Sequence, residues 1–245
     1  MRAMILAAGL GTRLRPLTTT IPKPLLPVAG RPLIVWNLLL LRKYGITEVI
    51  INLHHLGDLI EQELGNGSTL GMRIAYSREP VLLGTGGGIK QAERFFGGEP
   101  FVVLNGDTLV ELDLGALIRF HDGHKALATM VLRDDPDADR WGPVELDACR
   151  RVVTINGRGR AGEPSDSRGK KMFAGIHVMH PRLLTDVPPG RESSIIDAYV
   201  REIQRGEVIC GFTMDGYWSD IGTLERYTQA QQHAAGGLID LPARI

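Results

Sequence analysis

Two cysteines, Cys149 and Cys210, are all that the 245 residues contain. They cannot build a disulfide framework or a cysteine zinc site, and a reducing cytoplasm is the expected compartment. Charge of one sign is not in excess either, with 28 basic against 28 acidic side chains. That balance excludes a dedicated nucleic-acid or membrane-surface binder. No apolar run approaches the ~20 residues of a membrane span. The opening Met1-Arg2-Ala3-Met4 carries no signal-peptide pattern, and the apolar stretch after it is too short for an h-region. Internal repeats and low-complexity segments are missing. The histidines form no metal set: His54 and His55 are adjacent and would point opposite ways on extended backbone.

What is present is a globular composition, 43% hydrophobic, in a chain long enough for one large α/β domain with a full core. Apolar strand patterns alternate with helical ones. Ala3 to Ala8, Glu48 to Asn52 and Met72 to Ser77 read as strands. Leu33 to Tyr44, closed by Gly45, and His55 to Leu64 read as helices between them. The alternation predicts a mostly parallel, mixed sheet with helices on both faces, of the Rossmann-like class. Leu114 to His124, Ser193 to Arg205 (capped by Ser193 or Ser194) and Leu224 to Ala235 are further helices. Ala126 to Arg133, Met172 to Met179 and Val208 to Met214 are further strands. A single domain over 1–235 is expected, followed by a short tail, 236–245.

The first strand runs into Ala8-Gly9-Leu10-Gly11-Thr12-Arg13, then Pro22-Lys23-Pro24. Glycines let a backbone turn tightly and bring its N–H groups against a ligand, and Arg13 and Lys23 add fixed positive charge. Pro22, Pro24 and Pro27 forbid a helix and keep Lys23 on a stiff segment. The combination is a cradle for a polyphosphate. It is not a P-loop, because no Gly-Lys-Ser/Thr follows. Nor is it a dinucleotide fingerprint: Leu14 stands where the third glycine belongs, and no acid follows about 20 residues on. A second glycine segment, Leu83-Gly84-Thr85-Gly86-Gly87-Gly88, precedes an expected helix Ile89 to Phe96. It reads either as a loop packed closely against the sheet or as a platform for a flat base. Phe101 to Leu104 is a buried strand followed by Asn105-Gly106-Asp107, and ligands of open α/β sheets sit at strand carboxyl ends. Asp134 to Asp139 is acidic but lacks the glycine and glutamate of a calcium loop; a solvated turn is expected. Asn156 to Lys171 reads as a mobile loop.

These segments resemble the sugar-1-phosphate nucleotidylyltransferases, which make nucleotide sugars on a nucleotide-diphospho-sugar transferase (GT-A-like) fold. The Gly-x-Gly-Thr-Arg and Pro-Lys-Pro signature, Leu-Gly-Thr-Gly-Gly, Asn105-Gly106-Asp107 and Trp218-Ser219-Asp220-Ile221-Gly222-Thr223 carry the resemblance over Met1 to about His233. It implies catalytic roles for Arg13 and Lys23. It implies nucleotide contacts from Ala8, Gly9, Gly11, Thr12, Arg13, Lys23, Pro80, Gly84 and Gly86. It implies Asp107 and Asp220 as ligands of a Mg²⁺ cofactor. It places Asn105, Gly142, Glu145 and Gly175 on the sugar side, although Trp141 and Pro143 depart from the family pattern. The Lys of a family Glu-Lys-Pro is missing at Glu163-Pro164; Lys170-Lys171 reads as a solvated basic pair, with either lysine the alternative, a stand-in for it.

The implied partners are an NTP and a sugar 1-phosphate, with neither nucleic acid nor membrane; a homo-oligomer is compatible. Gly-Gly-Gly-Ile resembles the small N-acetylmuramate-1-phosphate uridylyltransferases. The Gly-Thr after Leu83, His121-Asp122-Gly123-His124 and Glu145 resemble mannose- or heptose-1-phosphate guanylyltransferases, and the expectation leans to guanylyl transfer. A rival of another class is a nucleotide-sugar sensor that has lost catalysis. Such a protein should have lost one of Arg13, Lys23, Asp107 or Asp220, and all four are here.

Overall fold

The computed structural model describes residues 1–160 and 169–239. They group into two compact units. One comprises Met1–Leu82, Leu104–Leu112 and the segment from Gly216 onward; the other comprises Leu83–Val103 and Asp113–Asp215.

In the first unit the Arg2–Leu6 strand runs parallel to Glu48–Leu53, from Ala3 opposite Val49 to Leu6 opposite Asn52. Glu48–Leu53 runs parallel in turn to Arg73–Arg78. Ala3, Met4, Ile5 and Ile51 are fully buried. This is the continuous apolar run of parallel strands covered on both faces. The connecting helix Leu33–Lys43 is buried at every position from Leu33 to Leu41, and Gly45 ends the turn after it at φ +76. The next helix starts at Gly57 rather than His55, because Leu56 takes a left-handed conformation. Gly57 has no room for a side chain: a Cβ there would lie 2.8 Å from Cβ of Leu53. The proline segment forms no α-helix but does make a single 3₁₀ turn, Lys23–Leu25.

The second unit mixes antiparallel with parallel pairing. Ala128–Asp134 lies antiparallel to Lys171–Met179 and parallel to Ile209–Thr213, and Val144–Leu146 lies antiparallel to Val152–Ile155. The class expected from the sequence, α/β with a mixed sheet flanked by helices, is the one adopted. Helices Leu114–His124 and Ile195–Gln204 begin at side-chain caps, Asp113 accepting from the Ala116 N–H and Ser194 from the Ile196 N–H. In the core, burial drives the His177 imidazole down to a pKa of about 3 and keeps it neutral, with its Nδ1 against the Tyr199 hydroxyl.

One element differs in kind. The Gly84–Gly88 run does not precede a helix; it is the helix, Gly84–Gln91, followed by a 3₁₀ turn Glu93–Phe96. Glycine is a poor helix former, so packing sets this conformation. A Cβ at Gly87 would lie 2.4 Å from the Arg191 carbonyl oxygen, and one at Gly84 2.7 Å from that of Ser193. The acidic turn contains a short helix, Ala138–Trp141, and its carboxylates pair with Arg133, Arg140, Lys170 and Lys171. Of the expected mobile loop, Arg158–Gly159 pairs antiparallel with Thr154 and Ile155, and Lys171 begins a strand; residues 161–168, Glu163 and Pro164 among them, lie outside the described residues, as do the last tail residues, 240–245.

Candidate nucleotide and metal site

After Leu6 the first strand leaves the sheet as Ala7-Ala8-Gly9-Leu10-Gly11. Ala7 and Ala8 are buried, whereas Gly9 and Leu10 are exposed. Gly11 is left-handed at φ +62, and its carbonyl accepts the Thr18 hydroxyl at 2.7 Å. The absent side chain of Gly9 faces open space, with nothing within 4 Å of a built Cβ. Gly11 therefore serves the turn, and Gly9 leaves room. Thr12 and Arg13 follow on an exposed 3₁₀ turn, and Arg13 makes no ion pair among the described residues.

The segment that follows Lys23 is held from several sides. The Leu33 N–H donates to the Leu26 carbonyl at 3.0 Å, Trp36 Nε1 donates to the Val28 carbonyl at 2.9 Å, and the Tyr227 hydroxyl donates to the Pro27 carbonyl at 2.8 Å. The Lys23 side chain is only 10% exposed. Its ammonium donates to Asp107 Oδ2 and lies 3.5 Å from Asp220 Oδ1. Arg226 takes the other oxygen of Asp220, Nη1 donating to Oδ2 at 2.6 Å.

Asp107 and Asp220, far apart in sequence, do not meet as two ends of core strands. A separate antiparallel ladder joins them, Thr108–Val110 against Trp218–Asp220, with Asp220 opposite Thr108. The Ile221 N–H then donates to the Asp107 carbonyl at 2.9 Å. Gly106 ties this ladder to the first strand, its N–H donating to the Leu6 carbonyl at 2.8 Å. A Cβ at Gly106 would lie 2.8 Å from that oxygen, and one at Gly222 would lie 2.7 Å from Asp220 Oδ2. The glycines of Asn-Gly-Asp and Asp-Ile-Gly thus make room for the strand and for the carboxylate. The Asn105 carbonyl accepts the Thr108 hydroxyl at 2.9 Å. Pro80 is exposed, directly after the buried Glu79.

Among the described residues, no three His, Cys, Asp or Glu side chains converge as a metal cage. Two carboxylates do converge, and a cation already lies against both. Mg²⁺ characteristically takes one or two protein carboxylates and fills its other positions with water and substrate phosphates. The Asp107–Asp220 pair fits that demand.

The second unit carries the other expected residues. The N–H groups of Gly86 and Gly87 donate to the Ser193 carbonyl at 2.8 and 3.4 Å, and the Thr85 hydroxyl accepts the Ile195 N–H at 3.0 Å. Gly142 is left-handed at φ +82 beside the exposed Trp141. Glu145 accepts the Thr154 hydroxyl. Gly175, at φ +75, sits in the irregularity between Phe173 and His177 of its strand. Lys170 is paired to Asp139 at 2.8 Å, and Lys171 is buried against Asp134 at 2.6 Å. Arg226 escapes a reading of the sequence, because nothing in a Thr-Leu-Glu-Arg helix start marks one arginine as a carboxylate clamp.

Comparison with known proteins matches the family model "Nucleotidyl transferase" over residues 2–236. The N-acetylmuramate alpha-1-phosphate uridylyltransferase of Neisseria meningitidis is 39% identical over 94% of this chain and 97% of its own. The mannose-1-phosphate guanylyltransferase of Mycobacterium tuberculosis is 34% identical over 98% of this chain; 66% of its own length is covered. The UTP–glucose-1-phosphate uridylyltransferase of Synechocystis is 34% identical, with 62% of its length covered. Among solved structures, a candidate glucose-1-phosphate thymidylyltransferase from Bacillus anthracis, bound to sucrose, superposes with a TM-score of 0.83 at 27% identity, covering 96% of this chain and 95% of that one. HddC from Yersinia pseudotuberculosis in complex with GMP-PN gives 0.76 at 26% identity over 94% and 98%. The chain belongs to the nucleotidyl transferase family.

Proposed function

We propose that the protein joins an NTP and a sugar 1-phosphate to give a nucleoside-diphosphate sugar and pyrophosphate. The carrying observation is Lys23 lying against Asp107 and Asp220 beside the open glycine loop. A sugar-phosphate oxygen attacks the α-phosphorus in line, a new P–O bond forms, and the α–β bridge breaks with its electron pair leaving on pyrophosphate. The nucleophile is already an anion at neutral pH, so a strong general base is not needed. The obstacle is bringing two polyanions together: unit charges ~4 Å apart repel by about 4 kcal/mol at a near-surface dielectric.

The chain's fixed cations and dipoles offset that repulsion. Backbone N–H groups from Ala8 to Thr12 hold the phosphates. The Arg13 fork takes the leaving pyrophosphate. Lys23 exchanges its carboxylate partners for the α-phosphate and the attacking phosphate. Asp107 and Asp220 would hold Mg²⁺, which would supply further neutralising charge at the reacting phosphates. Arg226 keeps Asp220 turned toward Asp107. Pro80 is the base-side candidate, because Gly84 and Gly86 pack against the Ser193 segment; Asn105, Gly142, Glu145 and Gly175 are the sugar-side candidates.

Uridylyl transfer to N-acetylmuramate 1-phosphate is the first substrate pair to test. Its support is the Neisseria relative, matched over 97% of that protein's length. Three side chains among the cues that favoured guanylyl transfer already hold partners within the chain. His121 bonds the Thr129 hydroxyl at 3.0 Å, His124 the Phe120 carbonyl at 2.8 Å, and Glu145 the Thr154 hydroxyl. Guanylyl transfer to mannose 1-phosphate stands second, on the Mycobacterium relative. The test is pyrophosphate release in Mg²⁺ across a grid of NTPs and sugar 1-phosphates. The expected strong cell is UTP with N-acetylmuramate 1-phosphate. A strong GTP row instead overturns the base assignment. Silence everywhere, with NTP still bound in a thermal-shift assay, points to a non-catalytic sensor.

A further inference from the structure

Beneath the glycine loop lies a buried polar pair that the reaction does not use. Asn52 is 3% exposed and Glu79 is 4% exposed. Ala7 stands one residue past the last ladder pair, Leu6 opposite Asn52. Its buried N–H is taken by the Asn52 side chain, Oδ1 accepting at 2.8 Å. The other end of the same amide, Nδ2, donates to Glu79 Oε1 at 2.7 Å. Glu79 is itself pinned to the strand end. Its N–H donates to the Leu53 carbonyl at 2.8 Å, and its carbonyl lies 2.8 Å from His54 Nδ1. One amide thus spans two segments of the first unit, the start of the glycine loop and the Glu79-Pro80 step. Its orientation is fixed, because a flipped amide would set N–H against N–H and oxygen against carboxylate.

We infer that Asn52 is a positioning residue for the nucleotide: it sets the glycine-loop backbone against the Glu79-Pro80 segment without touching substrate. This rests on the reading that the glycine loop holds the nucleotide phosphates.

The test uses a donor–acceptor exchange. Asn52→Asp replaces the donor facing Glu79 by a second carboxylate, and two buried carboxylates at that distance repel. In the double variant Asn52→Asp/Glu79→Gln, the amide introduced at position 79 donates to the carboxylate introduced at position 52. The second oxygen of that carboxylate still accepts the Ala7 N–H. Steady-state constants for both substrates are measured with thermal midpoints. Asn52→Asp should raise the KM for NTP about tenfold, as expected for a misplaced hydrogen-bonding loop, and leave the KM for sugar 1-phosphate within about twofold. The double variant should recover most of the loss. Glu79→Gln alone keeps an acceptor facing Nδ2 and should cost less than Asn52→Asp.

An unchanged KM for NTP in Asn52→Asp overturns the inference. So does a fall in stability with both KM values raised together and no rescue, which marks a merely structural pair. A Glu79→Gln loss as large as that of Asn52→Asp also overturns it, because Glu79 would then meet the ligand itself. If the wild type releases no pyrophosphate from any pair, the proposed activity fails by itself, and the same exchange is read as NTP affinity by thermal shift.

Discussion

The molecule has two glycine-rich segments, and they do opposite things with the space a side chain would fill. At Gly9 that space is empty, and the charged groups nearby hold partners that a ligand can replace. At Gly84–Gly88 the space is occupied by the protein's own backbone. The carbonyls of Arg191 and Ser193 stand where Cβ atoms would go, and the N–H groups of Gly86 and Gly87 are already bonded to the Ser193 oxygen. Glycine content alone does not mark a ligand site. What stands opposite the missing side chain does.

The comparison breaks most sharply at Gly87. A Cβ 2.4 Å from the Arg191 carbonyl cannot be relieved by a side-chain rotation. Gly87→Ala should therefore cost about 3 kcal/mol or more, in the range of overpacked cores. Urea unfolding or the soluble yield of the variant checks it. A stable Gly87→Ala would mean that the helix Gly84–Gln91 shifts easily against the Ser193 segment and that this region is not closed.

The next effect belongs to the open region. Asp107→Asn keeps the shape of a part-exposed side chain and removes one of the two charges facing Lys23. Stability should change little. Turnover in Mg²⁺ should fall on the order of one hundredfold, about 2.7 kcal/mol of barrier. Near-normal turnover in a folded Asp107→Asn would remove the metal role from this carboxylate.

These two positions also show where sequence was readable and where it was not. Asp107 stands out because it follows a buried apolar strand, and Asp220 because Trp-Ser-Asp-Ile-Gly-Thr resembles a family motif. Helices such as Leu114–His124 and Leu224–Ala235 stand out because capping and periodicity are local. The glycine run was legible as a place needing bare backbone. Its helical form was not, because the reason lies on Ser193 and Arg191, more than a hundred residues away. The ladder that joins the two acids is equally non-local, and so are Arg226 on Asp220 and Asn52 on Ala7. A polar residue in a strand or a helix turn looks ordinary until the opposing chain is known.

The smallest expected change in stability is the most discriminating one. Gly9 is not in the left-handed region, and a Cβ there meets nothing within 4 Å. Gly9→Ala should leave stability within about 0.5 kcal/mol, or raise it slightly by restricting the unfolded chain. If the loop N–H groups close on phosphates, the methyl group stands in the ligand's approach, and the KM for NTP should rise about tenfold while the unfolding midpoint stays put. A variant with both quantities unchanged would mean that the open face of Gly9 is plain solvent, and the distinction between the two glycine segments would reduce to packing alone.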